Sequence, residues 1–183
     1  MTVKTQMSIG ETMIKKIAVL AAAFAFTSAA SAATGMAKIK GTADGSTIDG
    51  TVKFEDTPKG LKVTAEFTGL PPGDHGFHIH ENGLCDDAGK AAGSHYNPVK
   101  TPHGDVVKDG IHKAHAGDMG NITAGADGKA SLEVVIPKVK LGGGDYTVGG
   151  RAVILHEKKD DFGQPVGNAG GRIGCGVIVF TAQ

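Results

Sequence analysis

The chain predicts an all-β fold, and three observations carry that reading. Short runs rich in valine, isoleucine, phenylalanine and threonine recur at regular spacing, several alternating apolar with polar residues. Glycine-rich turn signals separate them. Beyond residue 32, no window of about eleven residues keeps a helical apolar stripe. Such strands build a sandwich or a closed barrel.

The run "STIDGTVKFED" at 46–56 comes first, then "GLKVTAEFTGL" at 60–70, ended by the turn signal "PPGD" at 71–74. "HGFHIH" at 75–80 reads as a buried strand. "GADGK" at 125–129 precedes "ASLEVVIP" at 130–137, and "LGGGD" at 141–145 precedes "RAVILHE" at 151–157. "CGVIVF" at 175–180 is the last run, with Cys175 opening it. Residues 85–121 break the pattern: they are polar, rich in glycine and histidine, and poor in strand signal. A loop that long inside a compact domain is usually functional.

Composition sets the limits. The 183 residues suit one domain, with 40% apolar, 21% charged and only 5% aromatic residues and no tryptophan. That is a globular composition with a thin supply of large core residues. The 29 glycines suit many tight turns, and a net charge of +0 suggests neither a nucleic-acid patch nor an acidic tail.

"MIKKIAVLAAAFAFTSAASA" at 13–32 has a basic start, a short apolar run and a small-residue A-x-A end. These are the parts of a secretory signal peptide, and the apolar run is too short to span a bilayer comfortably. The predicted organisation is an N-terminal extension and cleaved signal peptide at 1–32, then a single domain at 33–183 in the periplasm or outside the cell, without a membrane span. Met1 and Met13 both remain possible starts. Cleavage removes three lysines and one glutamate, leaving 16 basic against 18 acidic groups, a net charge of −2. In an oxidising compartment Cys85 and Cys175 read as a disulfide, the alternative being two buried thiols. The bond would close a loop of about 90 residues, worth roughly 4–5 kcal/mol at most by chain entropy.

On a strand, His78 and His80 project to the same face. Two buried imidazoles side by side cost desolvation unless something binds both, and a zinc or copper ion does that. One core and one surface histidine is the bland alternative for an isolated H-x-H. The full inventory breaks the tie: His95, His103, His112 and His115 fall in the long loop, with Asp118 close behind, and His156 closes a strand. That is too many ligands for one tetrahedral ion, which implies two sites.

The blocks "GFHIHE", "HYNP", "HAGDMGN", "VILHEKKDD" and "GNAGGRIGCGVI", in this order, resemble the copper/zinc superoxide dismutases from about Lys38 to the C-terminus. The likeness is to an exported, bacterial type, with several blocks close to the eukaryotic enzymes. It implies an eight-stranded Greek-key β-barrel with long metal-binding loops, and dismutation of superoxide to dioxygen and hydrogen peroxide. By that resemblance His78, His80 and His156 bind copper, and His95 bridges copper to a zinc held by His103, His115 and Asp118. Asp160 links ligands of the two metals, Arg172 attracts the anion, Cys85 and Cys175 form the intrasubunit disulfide, and His75 is a buried structural ring. His95 also carries a proton toward the peroxide product. His112 is left as an exposed neighbour.

Two departures from the family pattern stand out. His80 to Cys85 is short and Cys85 to His95 long, so the relatives' dimer cannot be carried over, and monomer or homodimer stays open. Residues 162–171 are uncharged and few where relatives have a charged guidance loop, and Val166 replaces a channel threonine. Three rivals fit less well. A zinc hydrolase leaves the loop ligands unexplained, a copper-delivery domain would lose a copper ligand or Arg172, and a structural β-domain has no use for so many ligands.

Overall fold

The computed structural model describes residues 1–3 and 32–182, so the segment read as extension and signal peptide lies almost wholly outside the described residues. Nine β-strands follow: β1 (Thr34–Gly41), β2 (Asp49–Thr57), β3 (Gly60–Thr68), β4 (Gly73–His80), β5 (Asp118–Ala124), β6 (Ala130–Ile136), β7 (Ala152–His156), β8 (Arg172–Val177) and β9 (Val179–Phe180). Their order is β2-β3-β6-β5-β4-β7-β8-β1-β9, and β2 also pairs with β1, so eight strands close into an antiparallel barrel. β9 adds no wall. It continues on β1 in the register β8 sets, Lys40 opposite Cys175 and Met36 opposite Val179, so the two are one strand interrupted at Ile178. The neighbours β3–β6 and β4–β7 are the crossovers of a Greek key.

Period-two patterning makes the walls. Val52 and Phe54 on β2, with Leu61, Val63, Ala65 and Phe67 on β3, point inward, while Lys53, Glu55 and Glu66 face solvent. Phe67 meets Phe77 edge-on at 5.7 Å, one of the few aromatic contacts in an aliphatic core. Burying each such side chain stabilises the fold by about 1.5–3 kcal/mol.

β4 and β7 differ from the rest because both their faces are buried. Phe77, Ile79, Val153 and Leu155 fill the barrel. On the outer face Ala152 and Ile154 pack with Ala92 and Cys175 in a second small cluster, which Cys85 flanks beneath the loop. The Cys85–Cys175 disulfide is formed and ties that loop to β8.

The structure departs from the sequence reading in three places. β1 was not among the predicted runs: only Gly35, Ala37 and Ile39 are buried on it, too little apolar bulk to signal a strand. β5 begins at Asp118, inside the stretch read as loop, because glycine and polar residues break its apolar pattern: Met119 faces the core while Asp118 serves the site. β8 begins at Arg172, so Cys175 lies within the strand and does not open it. The loop also holds a 3₁₀ turn at Lys90–Ala92 and one short helix, α1 (Val106–Asp109), whose N-terminus Asp105 caps through bonds from Val107 and Lys108 N–H. Among the described residues no helix is long and apolar enough to cross a membrane.

Candidate metal centre

The outer face of β4 is where the site is built. Beyond His78 its free edge is paired by the loop: Ile79 N–H donates to Gly117 O at 2.9 Å, Tyr96 N–H to Ile79 O at 2.9 Å, and Glu81 N–H to Ser94 O at 2.9 Å. This lays His95 and the 115–118 turn beside His78 and His80. β7, on the other edge, brings His156 alongside. Two overlapping buried groups result: His78, His80, His95 and His156, then His95, His103, His115 and Asp118, the donor atoms within each group lying within 4.8 Å of one another. His95 belongs to both. A third group, His78, His103 and Asp160, joins them from behind.

Hydrogen bonds decide which nitrogen each ring offers. His80 Nδ1 donates to Gly93 O at 2.9 Å and His156 Nδ1 faces Gly170 O at 3.4 Å, leaving each Nε2 buried and unpartnered. His78 is turned the other way: Nε2 lies 2.8 Å from Asp160 Oδ2, and Nδ1 is the unpartnered atom. In the second group the carboxylate of Asp118 gathers His95 Nδ1 at 2.8 Å and His115 Nδ1 at 3.1 Å. His103 Nδ1 is 2.8 Å from Asp118 Oδ2 without the alignment of a hydrogen bond, while its Nε2 reaches both Asp160 oxygens at 3.0 Å. Four buried ring nitrogens without hydrogen-bond partners, three in the first group and His103 Nδ1 in the second, are costly unless metal ions take them.

Charge sorts the groups further. Burial first, then repulsion from neighbouring imidazoles, lowers His80 to about 2 and His156 to about 3. Burial also lowers His95, to about 4, against the pull of Asp118. These rings are neutral at physiological pH, with lone pairs available to a metal. His103 behaves oppositely: burial pulls it down, but Asp118 and Asp160 outweigh burial and raise it to about 9. Burial opposes ionisation of both carboxylates, yet the surrounding imidazoles hold Asp118 and Asp160 well below the usual range. One group is thus a nest of neutral nitrogens, the other a cation-seeking site containing a carboxylate. The donor sets fit copper and zinc respectively, imidazole suiting both and tetrahedral zinc accepting the mixed nitrogen–oxygen set.

A cavity of about 230 Å³ opens onto the first group, lined by His80, His95, His156, Ser94, Val166 and Arg172 among others. The Arg172 guanidinium is fixed by main-chain oxygens: Nη1 donates to Gly89 O at 2.6 Å and Nη2 to Gly93 O at 2.6 Å. Among the described residues no carboxylate pairs with it, so its positive charge faces the cavity uncompensated.

His75 joins neither group, its ring nitrogens lying 2.8 Å from His156 O and 2.8 Å from Pro71 O. His112 is exposed and 3.2 Å from Lys138 Nζ, away from the cluster. The sequence reading missed Asn121, which holds the Asp160 main chain by two bonds, at 2.9 and 2.7 Å. It also missed Gly89 and Gly93, whose part is played by carbonyls that carry no residue-type signature.

A Greek-key barrel carrying two buried ligand groups joined by one histidine has the donor sets of a protein that holds two metal ions side by side. The copper/zinc superoxide dismutase (SODC) family model matches residues 48–178. The chain is 37% identical over 149 residues to an extracellular copper–zinc superoxide dismutase of Brugia pahangi, covering 76% of this chain and 73% of that one. It is 39% identical over 150 residues to a copper–zinc superoxide dismutase of Onchocerca volvulus, covering 75% and 92%. A crystal structure of the clock protein EA4 superposes with a TM-score of 0.72 at 35% identity, over 82% of this chain and 96% of that one. The chain belongs to the copper/zinc superoxide dismutase family. It is an enzyme that dismutates superoxide, with copper and zinc as its metals.

Proposed function

We propose that His78, His80, His95 and His156 hold the copper, that His95, His103, His115 and Asp118 hold the zinc, and that Arg172 draws in the substrate. The division of unpartnered nitrogens carries this reading: His78 Nδ1, His80 Nε2 and His156 Nε2 fall in one group and His103 Nδ1 in the other. Copper supplies one-electron oxidation and reduction in turn, while zinc, with a filled d shell, does no redox work. Two superoxides and two protons give one dioxygen and one peroxide. Arg172 binds and orients the anion, and the narrow cavity limits access to small molecules. His95 holds the shared position and carries a proton for peroxide on the nitrogen facing the first group. Asp160 fixes the tautomers of His78 and His103, as carboxylates behind metal-bound imidazoles do. His75 is a structural ring tying β4 to β7. His95→Ala tests the division: both metals lose affinity and the copper spectrum changes. Full loading of both metals with an unaltered spectrum would refute the shared role.

The domain at 33–183 is proposed to act in the periplasm or outside the cell, after removal of 1–32. The A-x-A site and the extracellular name of the Brugia relative support this. Intact mass of the exported protein should begin at Ala33. For assembly we propose a homodimer, because Leu84, beside Cys175, and Val179 and Phe180, further along the same strand, are half-exposed apolar side chains. Sedimentation equilibrium distinguishes it from a monomer.

A further inference from the structure

We propose that Gln164 is a positioning residue for the zinc ligand His103, locking its main chain from across the site. The proposal rests on the assignment of His103 to zinc.

His103 lies in an irregular stretch before α1, where no strand partner satisfies its main chain. The Gln164 carboxamide does so at both ends. Its Oε1 accepts from His103 N–H at 3.0 Å, and its Nε2 donates to His103 O at 2.9 Å. A primary amide that pairs with both groups of one residue imitates a β-strand partner and fixes that residue's backbone orientation. The next residue is held too, since Gly104 N–H donates to Asp118 Oδ2 at 3.1 Å.

The same short segment grips the ring. Asp160 takes His103 Nε2, and Phe162 stacks over the imidazole at 6.3 Å with planes 22° apart. Asp160, Phe162 and Gln164 thus hold the edge, face and backbone of one ligand. Gln164 is exposed and lies outside the hydrophobic core, so replacing it leaves the barrel intact.

The test compares wild type, Gln164→Ala, Gln164→Glu and His103→Ala, each loaded with both metals. Zinc and copper release into excess chelator are followed separately, with thermal midpoints measured in parallel. Gln164→Ala should release zinc roughly tenfold faster, the lower end of what supporting partners of metal ligands contribute. Copper release and the midpoint should stay close to wild type. Gln164→Glu keeps the acceptor but loses the donor, and should fall between. If Gln164→Ala releases zinc at the wild-type rate while His103→Ala loses zinc, the positioning role is wrong and the zinc assignment stands. Equal acceleration of both metals with a lowered midpoint would show general loosening and also overturn it. Full zinc retention by His103→Ala would overturn the assignment itself, and the proposal with it.

Discussion

His80 and Arg172 share one acceptor, the carbonyl oxygen of Gly93, which takes His80 Nδ1 at 2.9 Å and Arg172 Nη2 at 2.6 Å. The proposed copper ligand and the cation proposed to attract the substrate are therefore aligned by one peptide. Gly93 has φ 75°, and a Cβ there would stand 2.5 Å from Glu81 Oε1. Both facts favour glycine.

Gly93→Ala should consequently lower copper affinity and activity together, by about tenfold in affinity if it acts like other supporting contacts. Competition with a copper chelator, run beside the dismutation assay, checks it. Unchanged copper affinity would mean that Gly93 O does not orient His80.

Asp160 joins the two groups through His78 Nε2 and His103 Nε2, and Gly167 packs so closely that a Cβ there would lie 1.9 Å from Asp160 Oδ1. Asp160→Ala should weaken both metals, each by about 10–100-fold, because two ligands lose the partner that sets their tautomer. Isothermal titration of the metal-free protein reads the two sites separately. Loss at one site only would show that the carboxylate serves a single ligand.

The Cys85–Cys175 bond anchors the segment whose carbonyls hold Arg172 and His80. Cys175→Ser should lower stability by about 2–5 kcal/mol, the usual range for a lost native disulfide. Denaturant unfolding measures it, and an unchanged midpoint in the fully oxidised comparison would contradict it.

These residues also show where sequence reasoning reaches its limit. β2 and β3 were legible because bulky side chains alternate with charged ones along both. β1 was not, since glycine and alanine fill two of its three inward positions. The spacing of His78 and His80 suggested a metal without deciding it, and the number of loop histidines broke the tie. What orients them is different in kind. The carbonyls of Gly89, Gly93 and Gly170 act through backbone geometry, which composition does not record. Gln164 lay in no motif, and Asn121 closed the block HAGDMGN without its role being read, because a carboxamide bonded to main chain looks the same in sequence as one facing water.

Arg172 separates an enzyme from a metal-binding module most sharply. Residues 162–171 are uncharged, and no carboxylate among the described residues forms an ion pair with Arg172, so it should hold most of the positive field at the cavity. Lys158, its stem against Gly170 at the rim, adds a second cation there, beside Glu157, whose carboxylate accepts from Gly171 N–H at 3.3 Å. Arg172→Ile should leave copper and zinc content intact, because the guanidinium binds main-chain oxygens and no ligand side chain. It should lower kcat/KM about tenfold, a loss of about 1.4 kcal/mol in transition-state stabilisation. Arg172→Glu should be slower still, because it repels the anion, and Lys158→Gln should cost less than either. The wild-type rate should fall as salt rises, since exposed charges are screened beyond a Debye length of about 10 Å at 0.1 M. The isoleucine variant should show a flatter salt dependence. Pulse radiolysis across a salt series measures all four proteins under one condition. Equal rates with parallel salt slopes would remove Arg172 from substrate guidance and leave the cavity's shape as the only selector.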